Sequence, residues 1–168
     1  MAKSMTRFSV AIHILAKLEI HKRARNTSDE LAVGLGTNST FVRRITGLLG
    51  KAGLVEGRPG TGGNKLLKSV ELITLLEVFK AVQMSNESKG FGEISGLNMY
   101  DAPSEEEPEG ALIHGATKDI FAGVEKAIED ELGLATIADV VTEVRRRMSS
   151  PDYKASLSNI IRLENIIP

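Results

Sequence analysis

TSDELAVGLGTNSTFVRRITGLLGKAGLV, residues 27–55, reads as two short helices joined by a tight turn. Thr27 and Glu30 stand three apart, the spacing of a capping box in which each side chain satisfies a backbone donor at a helix start. Leu31, Ala32 and Leu35 give this first helix its apolar side. Gly36 ends it, because glycine enters the left-handed conformation of a helix terminus without a Cβ penalty. Asn38 suits the N-cap of the next helix, where its side-chain oxygen can accept from an unpaired N–H.

The second helix sorts by angle. At roughly 100° per residue, Phe41, Val42, Ile45, Leu48, Leu49 and Ala52 share one face. Ser39, Thr40, Arg43, Arg44, Thr46, Gly47, Gly50 and Lys51 share the other, with Arg43 near its middle and Arg44 nearer its edge. Each glycine inside a helix costs about 1 kcal/mol relative to alanine. Both lie on the outward face, so the sequence offers no core-packing reason for them. A smooth, small, cationic face lets another surface approach, and the major groove of DNA admits a helix. A solvated amphipathic helix would show the same pattern, so the flanking sequence has to decide.

After Ala52 and Gly53, Leu54-Val55 and Leu66-Leu67 are short apolar segments. Between them lies GRPGTGGNK, residues 57–65, glycine-rich and basic. Two short strands around such a tip make a β-hairpin. A helix-turn-helix followed by a hairpin is a winged helix. The loop lacks the G-x-x-x-x-G-K-[ST] order of a nucleotide cradle, and no helix start follows it.

Charge is divided along the chain. Residues 1–70 hold twelve Lys and Arg against four Asp and Glu, a net of +8, whereas residues 71–168 hold nine against eighteen, a net of −9. The basic half carries the helix-turn-helix, the electrostatic pattern of a polyanion binder. The absence of cysteine excludes disulfides, thiol catalysis and cysteine-ligated clusters. With no close His pair and no Gly-x-Ser-x-Gly elbow, no enzyme site is expected, nor a cofactor or metal. No signal peptide is expected before the first helix and no apolar run reaches membrane length, so a cytoplasmic protein is expected.

Around the helix-turn-helix, residues 4–20 read as a first helix capped by Ser4 and apolar nearly all round, which places it between other elements. Lys3 and Arg7 stand at its start. His13 reads as a packed or solvated histidine rather than a ligand. Residues 21–26, HKRARN, form a basic turn. Thr74 and Glu77 open another helix with a second capping box. Residues 85–110 lose periodicity and carry the acidic run Glu105, Glu106, Glu107 and Glu109, read as solvated. Residues 111–132 form the longest helix, with a stripe of Ile113, Ile120, Val124, Ala127 and Ile128 widened by Leu112, Ala116 and Phe121. Thr136 and Asp139 cap a last helix that ends in three arginines. The tail from residue 149 carries further Ile and Leu. The expected division is a winged helix-turn-helix domain at 1–84, a loop and sensing region at 85–110, a dimerisation helix and its successor at 111–148, and a tail at 149–168.

Taken in order, RFSVAIHILAKL, the segment 27–55, GTGGNKLL, ITLLEVFKAVQ, the long helix and TIADVV resemble the Rrf-type winged-helix transcription regulators, the family of IscR, NsrR and CymR. The resemblance implies a mainly α fold with a small hairpin and a homodimer that binds a palindromic operator in double-stranded DNA and represses transcription. Cluster-bearing members carry cysteines before the long helix, often in a Cys-Pro-Val-Gly-like segment. Here that segment is Glu107-Pro108-Glu109-Gly110, so the chain resembles the cysteine-free branch. Asn64 stands where a further glycine is common in the wing. On this reading Ser39, Thr40 and Arg43 address base edges or their surroundings. Arg44, Lys51, Arg58, Lys65 and Lys3 address phosphate, and Ile113, Ile120, Val124 and Ile128 pair the dimer. Two rivals stay open: a winged helix that binds protein rather than DNA, and a regulator with a metabolite or metal pocket near residues 85–120.

Overall fold

The computed structural model describes residues 2–58, 63–83, 108–153 and 155. Helix α1 (Ala2–Ile20) is the hub. Its Ala11, Ile14, Leu15, Ala16 and Leu18 are buried, and Phe8, Val10, Ile12 and Ile20 pack against the same core. That is the burial on several sides expected of a helix apolar nearly all round. It begins at Ala2, so Ser4 lies within the first turns and not at an N-cap, contrary to expectation. Ala and Lys are good helix formers and carry the helix past the serine.

Helices α2 (Ser28–Leu35) and α3 (Ser39–Lys51) form as their caps direct. Glu30 N–H donates to Thr27 Oγ1 at 3.2 Å while Thr27 N–H donates to Glu30 Oε2 at 2.8 Å. Gly36 closes α2 at φ 59°, and Asn38 Oδ1 accepts from Phe41 N–H at 2.8 Å to open α3. Val42, Ile45, Leu48 and Leu49 of α3 are buried, with Phe41 and Ala52 half-buried beside them. Burying such a side chain contributes about 1.5–3 kcal/mol before chain entropy is counted, so the inward face fixes the rotation of α3 and hence what its outward face presents.

Strands β1 (Val55–Arg58) and β2 (Gly63–Leu66) pair antiparallel, Val55 opposite Leu66 and Arg58 opposite Gly63. The ladder runs further into the glycine-rich stretch than its apolar residues suggested, because backbone pairing needs no side chain. Helix α4 (Leu75–Gln83) follows a 3-10 turn, Val70–Leu72. Only half of its expected capping box forms: Glu77 N–H donates to Thr74 Oγ1, but the Glu77 carboxylate accepts from Lys68 Nζ at 2.8 Å instead of reaching back. Phe79 of α4 meets Phe8 of α1 edge to face, with ring centroids 5.3 Å apart.

Helix α5 (Pro108–Leu134) is 27 residues long and begins three residues before its expected start, inside the stretch read as loop. Proline suits the first helical position, where its missing N–H would have no partner anyway. The helix packs chiefly along α4. Helix α6 (Ile137–Met148) returns to the core, burying Ile137 and Val141. Its Thr136–Asp139 capping box forms as expected. Backbone bonds tie the starts of α4 and α6 together: Leu75 N–H to Ala135 O at 2.8 Å and Ile137 N–H to Ile73 O at 2.9 Å. At the end of α6 the Arg146 and Arg147 guanidinium groups, both bonded to Glu143, pull its carboxyl down to about 2. Residues 84–107 and 156–168, which hold Glu105, Glu106, Glu107 and most of the tail, lie outside the described residues. Among the described residues, no helix is long and apolar enough to cross a membrane.

Candidate nucleic-acid interface

Because α3 is seated by its apolar face, Thr40, Arg43, Arg44, Gly47, Gly50 and Lys51 face outward and are exposed, with Ser39 half-buried. A Cβ added at Gly47 would meet open space. One added at Gly50 would lie 3.4 Å from the Val55 carbonyl oxygen, at ordinary contact distance. The two glycines therefore keep the outward face low without being demanded by the core.

The hairpin stands beside this face. Arg43, Thr46, Gly47 and Gly50 of α3, the α2 start at Thr27, Ser28 and Asp29, and the wing residues Gly57, Gly63 and Asn64 line one open cleft of about 560 Å³. Its floor is mostly glycine and hydroxyl. Arg43 spans part of it, its guanidinium 3.7 Å from the Asp29 carboxylate. Both partners are largely exposed, so this pair contributes little stability and leaves Arg43 free to change partner. Asp29 was not singled out from the sequence. Its position at the second residue of α2, opposite an arginine one helix away, emerges only when the two helices pack.

The other expected contact residues are distributed around this cleft rather than gathered in it. Ser39 and Thr40 sit at the N-terminal end of α3, and Lys51 at its C-terminal end. Arg58 ends β1 and Lys3 lies in the first turn of α1; both side chains lie outside the described part of the structure. Lys65 is opposite Glu56 in the hairpin and lines a different depression, of about 490 Å³, with Leu18, Glu19, Lys22 and Lys68. Strand alternation puts it on the flank of the wing away from Arg43.

The root of the wing is the feature that sequence reasoning missed. Asn64 is buried, and both its backbone N–H and its Nδ2 donate to Asn26 O, at 3.2 and 2.9 Å. Asn26 is itself buried, left-handed at φ 49°, and its Nδ2 donates to His21 O and Ala24 O. Gly63, at φ 64°, sits so close to the turn that an added Cβ would overlap the Arg25 carbonyl. The sequence signals were present in Asn26, a residue type that tolerates left-handed backbone, and in Asn64, standing where glycine is common. That the two meet could not be read from either. His13, on the exposed side of α1, has its pKa lowered by neighbouring protein and by Lys17, and joins no other candidate ligand.

Against known proteins, residues 4–143 match the family model Rrf2, described as an iron-dependent transcriptional regulator. The chain is 32% identical over 139 residues to YwnA of Bacillus subtilis, assigned as an HTH-type transcriptional regulator, covering 83% of this chain and 97% of that protein. A crystal structure assigned to a DNA-binding protein is 34% identical, with TM-score 0.62, over 80% of this chain and 97% of its own. IscR of T. potens shares the fold at 18% identity and TM-score 0.63, over 89% of this chain and 93% of its own. A helix-turn-helix whose second helix is seated by its core face, a hairpin beside it and a family match over most of the length agree, and the chain belongs to the Rrf2 family of winged helix-turn-helix, DNA-binding transcription regulators.

Proposed function

We propose that this protein is a homodimeric repressor, acting in the cytoplasm, that reads a palindromic operator with α3 and does so without an iron–sulfur cluster. The observation that carries the reading is the outward face of α3: Thr40, Arg43 and Gly47 exposed, beside a hairpin, in the half of the chain with a net charge of +8. Ser39, Thr40 and Arg43 address the bases. Arg44, Lys51, Arg58, Lys65 and Lys3 address phosphate, positioning the protein without specifying sequence. The exposed Ile113 and Ile120 of α5 support pairing of two copies along that helix.

The family description names iron, and the donor set of this chain does not fit a thiolate-held cluster. There is no cysteine, and thiolates are the usual ligands of such clusters. Glu107, Pro108 and Glu109 stand where the resemblance expects the cysteine-bearing segment. Among the described residues no three His, Asp or Glu side chains are grouped to hold a metal ion.

The test is selection of bound duplexes from random DNA by the purified protein, followed by Arg43→Ala on the best site. The parent is expected to enrich a two-fold symmetric sequence. The variant is expected to lose roughly 1–3 kcal/mol and to relax the preference at one position of each half-site. Equal affinity of parent and variant for that site would remove α3 as the reader.

A further inference from the structure

The basic turn HKRAR at residues 21–25 has no role in the reading above. Lys22, Arg23 and Arg25 are all exposed. Lys22 is paired with Glu19 at 2.7 Å, and Glu19 also has Arg145 at 3.9 Å. Arg23 and Arg25 have no carboxylate partner among the described residues.

The turn is held stiffly. His21 N–H donates to Lys17 O and Ala24 N–H to His21 O, each at 2.9 Å, and the Asn26 amide closes the loop from beneath. The wing is anchored to this same turn, through Asn64 on Asn26 O and Gly63 against Arg25 O. Turn and wing root are therefore one body.

They also share a surface. The depression on the outer flank of the wing takes Lys22 from the turn and Lys65 and Lys68 from the wing side. Of its two lining carboxylates, Glu19 is paired with Lys22, whereas Glu71 accepts from the Ser69 hydroxyl and keeps its charge. Lys65, like Arg23 and Arg25, has no carboxylate partner among the described residues. Asn64 lines both this depression and the cleft under Arg43, so the wing root is the wall between them. A polyanion that fills the cleft and passes the wing meets Lys65 on the far side, and Arg23 in an adjoining depression that shares Glu19 and Lys22 with it.

Resting on the DNA-binding reading, we propose that Arg23 and Arg25 of the turn, with Lys65 of the wing joined to it, form a second phosphate-binding surface, engaging duplex backbone beyond the half-site that α3 reads. The bound chemistry is the sugar-phosphate backbone, so the contact is independent of base sequence.

The test is binding by the full chain and its Arg23→Ala/Arg25→Ala double variant to the selected operator in two lengths, one with ten flanking base pairs on each side and one cut at the half-site edges. Both side chains are exposed and unpaired, so the variant should melt with the parent. On the long duplex the variant is expected to bind at least about tenfold more weakly at low salt, with a log–log salt slope flatter by about 4, two contacts from each protomer of the dimer. The loss should be equal on an unrelated long duplex and should disappear on the short one. An unchanged slope would overturn the proposal and leave the turn merely solvated, and the same loss on the short duplex would overturn it by placing the contact within the half-site. Failure of the DNA-binding reading looks different: the parent then enriches no sequence, and neither Arg43→Ala nor duplex length matters.

Discussion

Gly63 is where a single residue controls the most structure. It combines a left-handed φ of 64° with direct contact against the Arg25 carbonyl, so any side chain is both strained and in collision. Gly63→Ala should cost at least about 1–3 kcal/mol, because the wing must lift off the α1–α2 turn to make room. Chemical denaturation measures the loss, and a melting curve superimposable on the parent's would show that the wing root yields freely. Asn64 acts in the same place by a different cause. Its buried amide replaces water around Asn26 O, which lets a polar asparagine occupy a position where glycine is common. Arg43 differs from both. Among the described residues its ion pair is a solvent-exposed one to Asp29, so its substitution should move DNA affinity far more than stability.

Among the elements, the wing offers the cleanest separation of roles. Lys65 is exposed on β2, and the Asn64 carboxamide is buried against Asn26. Phosphate contact by Arg58 and Lys65 is the role proposed for the wing. An Arg58→Ala/Lys65→Ala variant should bind all sequences more weakly by a similar factor and flatten the salt slope by about 4, two contacts from each protomer of the dimer. A slope equal to the parent's across a titration from low to moderate salt would take the wing out of the interface. The recognition helix should respond in the opposite manner, with changes of preference rather than of slope. That contrast rests on burial: α3 is locked by Val42, Ile45, Leu48 and Leu49, which fixes the direction of its outward face.

At the level of the whole molecule, α5 is the unfinished part. Ile113 is 62% exposed and Ile120 66%, with Val124 at 41%, along a helix that packs chiefly on α4. An apolar stripe of this kind on a long helix points to a partner. A two-fold pair would present two α3 helices to half-sites about one helical turn, or a multiple of it, apart. Val124→Asp places a charge in that seam, costly to bury without a partner. The variant should sediment as a largely folded monomer and bind the palindrome weakly. A parent that sediments as a monomer at micromolar concentration, or a variant that stays dimeric with full affinity, would exclude this pairing. The same preparation tests the cluster. Protein purified without oxygen should show neither visible absorbance nor acid-labile sulfide, and finding both would mean ligation by donors other than thiolate.

The helix-turn-helix was legible because its signals are local. A capping box at Thr27, a glycine stop at Gly36, an asparagine cap at Asn38 and a 3.6-residue apolar stripe each act within one turn of backbone. Together they determined α2, α3 and the outward placement of Arg43 from sequence alone. The charge division between the halves was equally legible, since it needs only counting. What tertiary structure decided were meetings between residues far apart in the chain. Asn26 with Asn64 spans 38 positions and makes the basic turn and the wing one body. Lys65 went to the outer flank because strand register, and not composition, settles which side of the hairpin a residue takes. Glu77 left its own helix start for Lys68, a choice open only once the chain had folded the lysine beside it. Local rules set where α2, α3 and α6 begin and which of their faces is apolar; the pairing of faces depends on packing the whole core, and no short stretch contains that information.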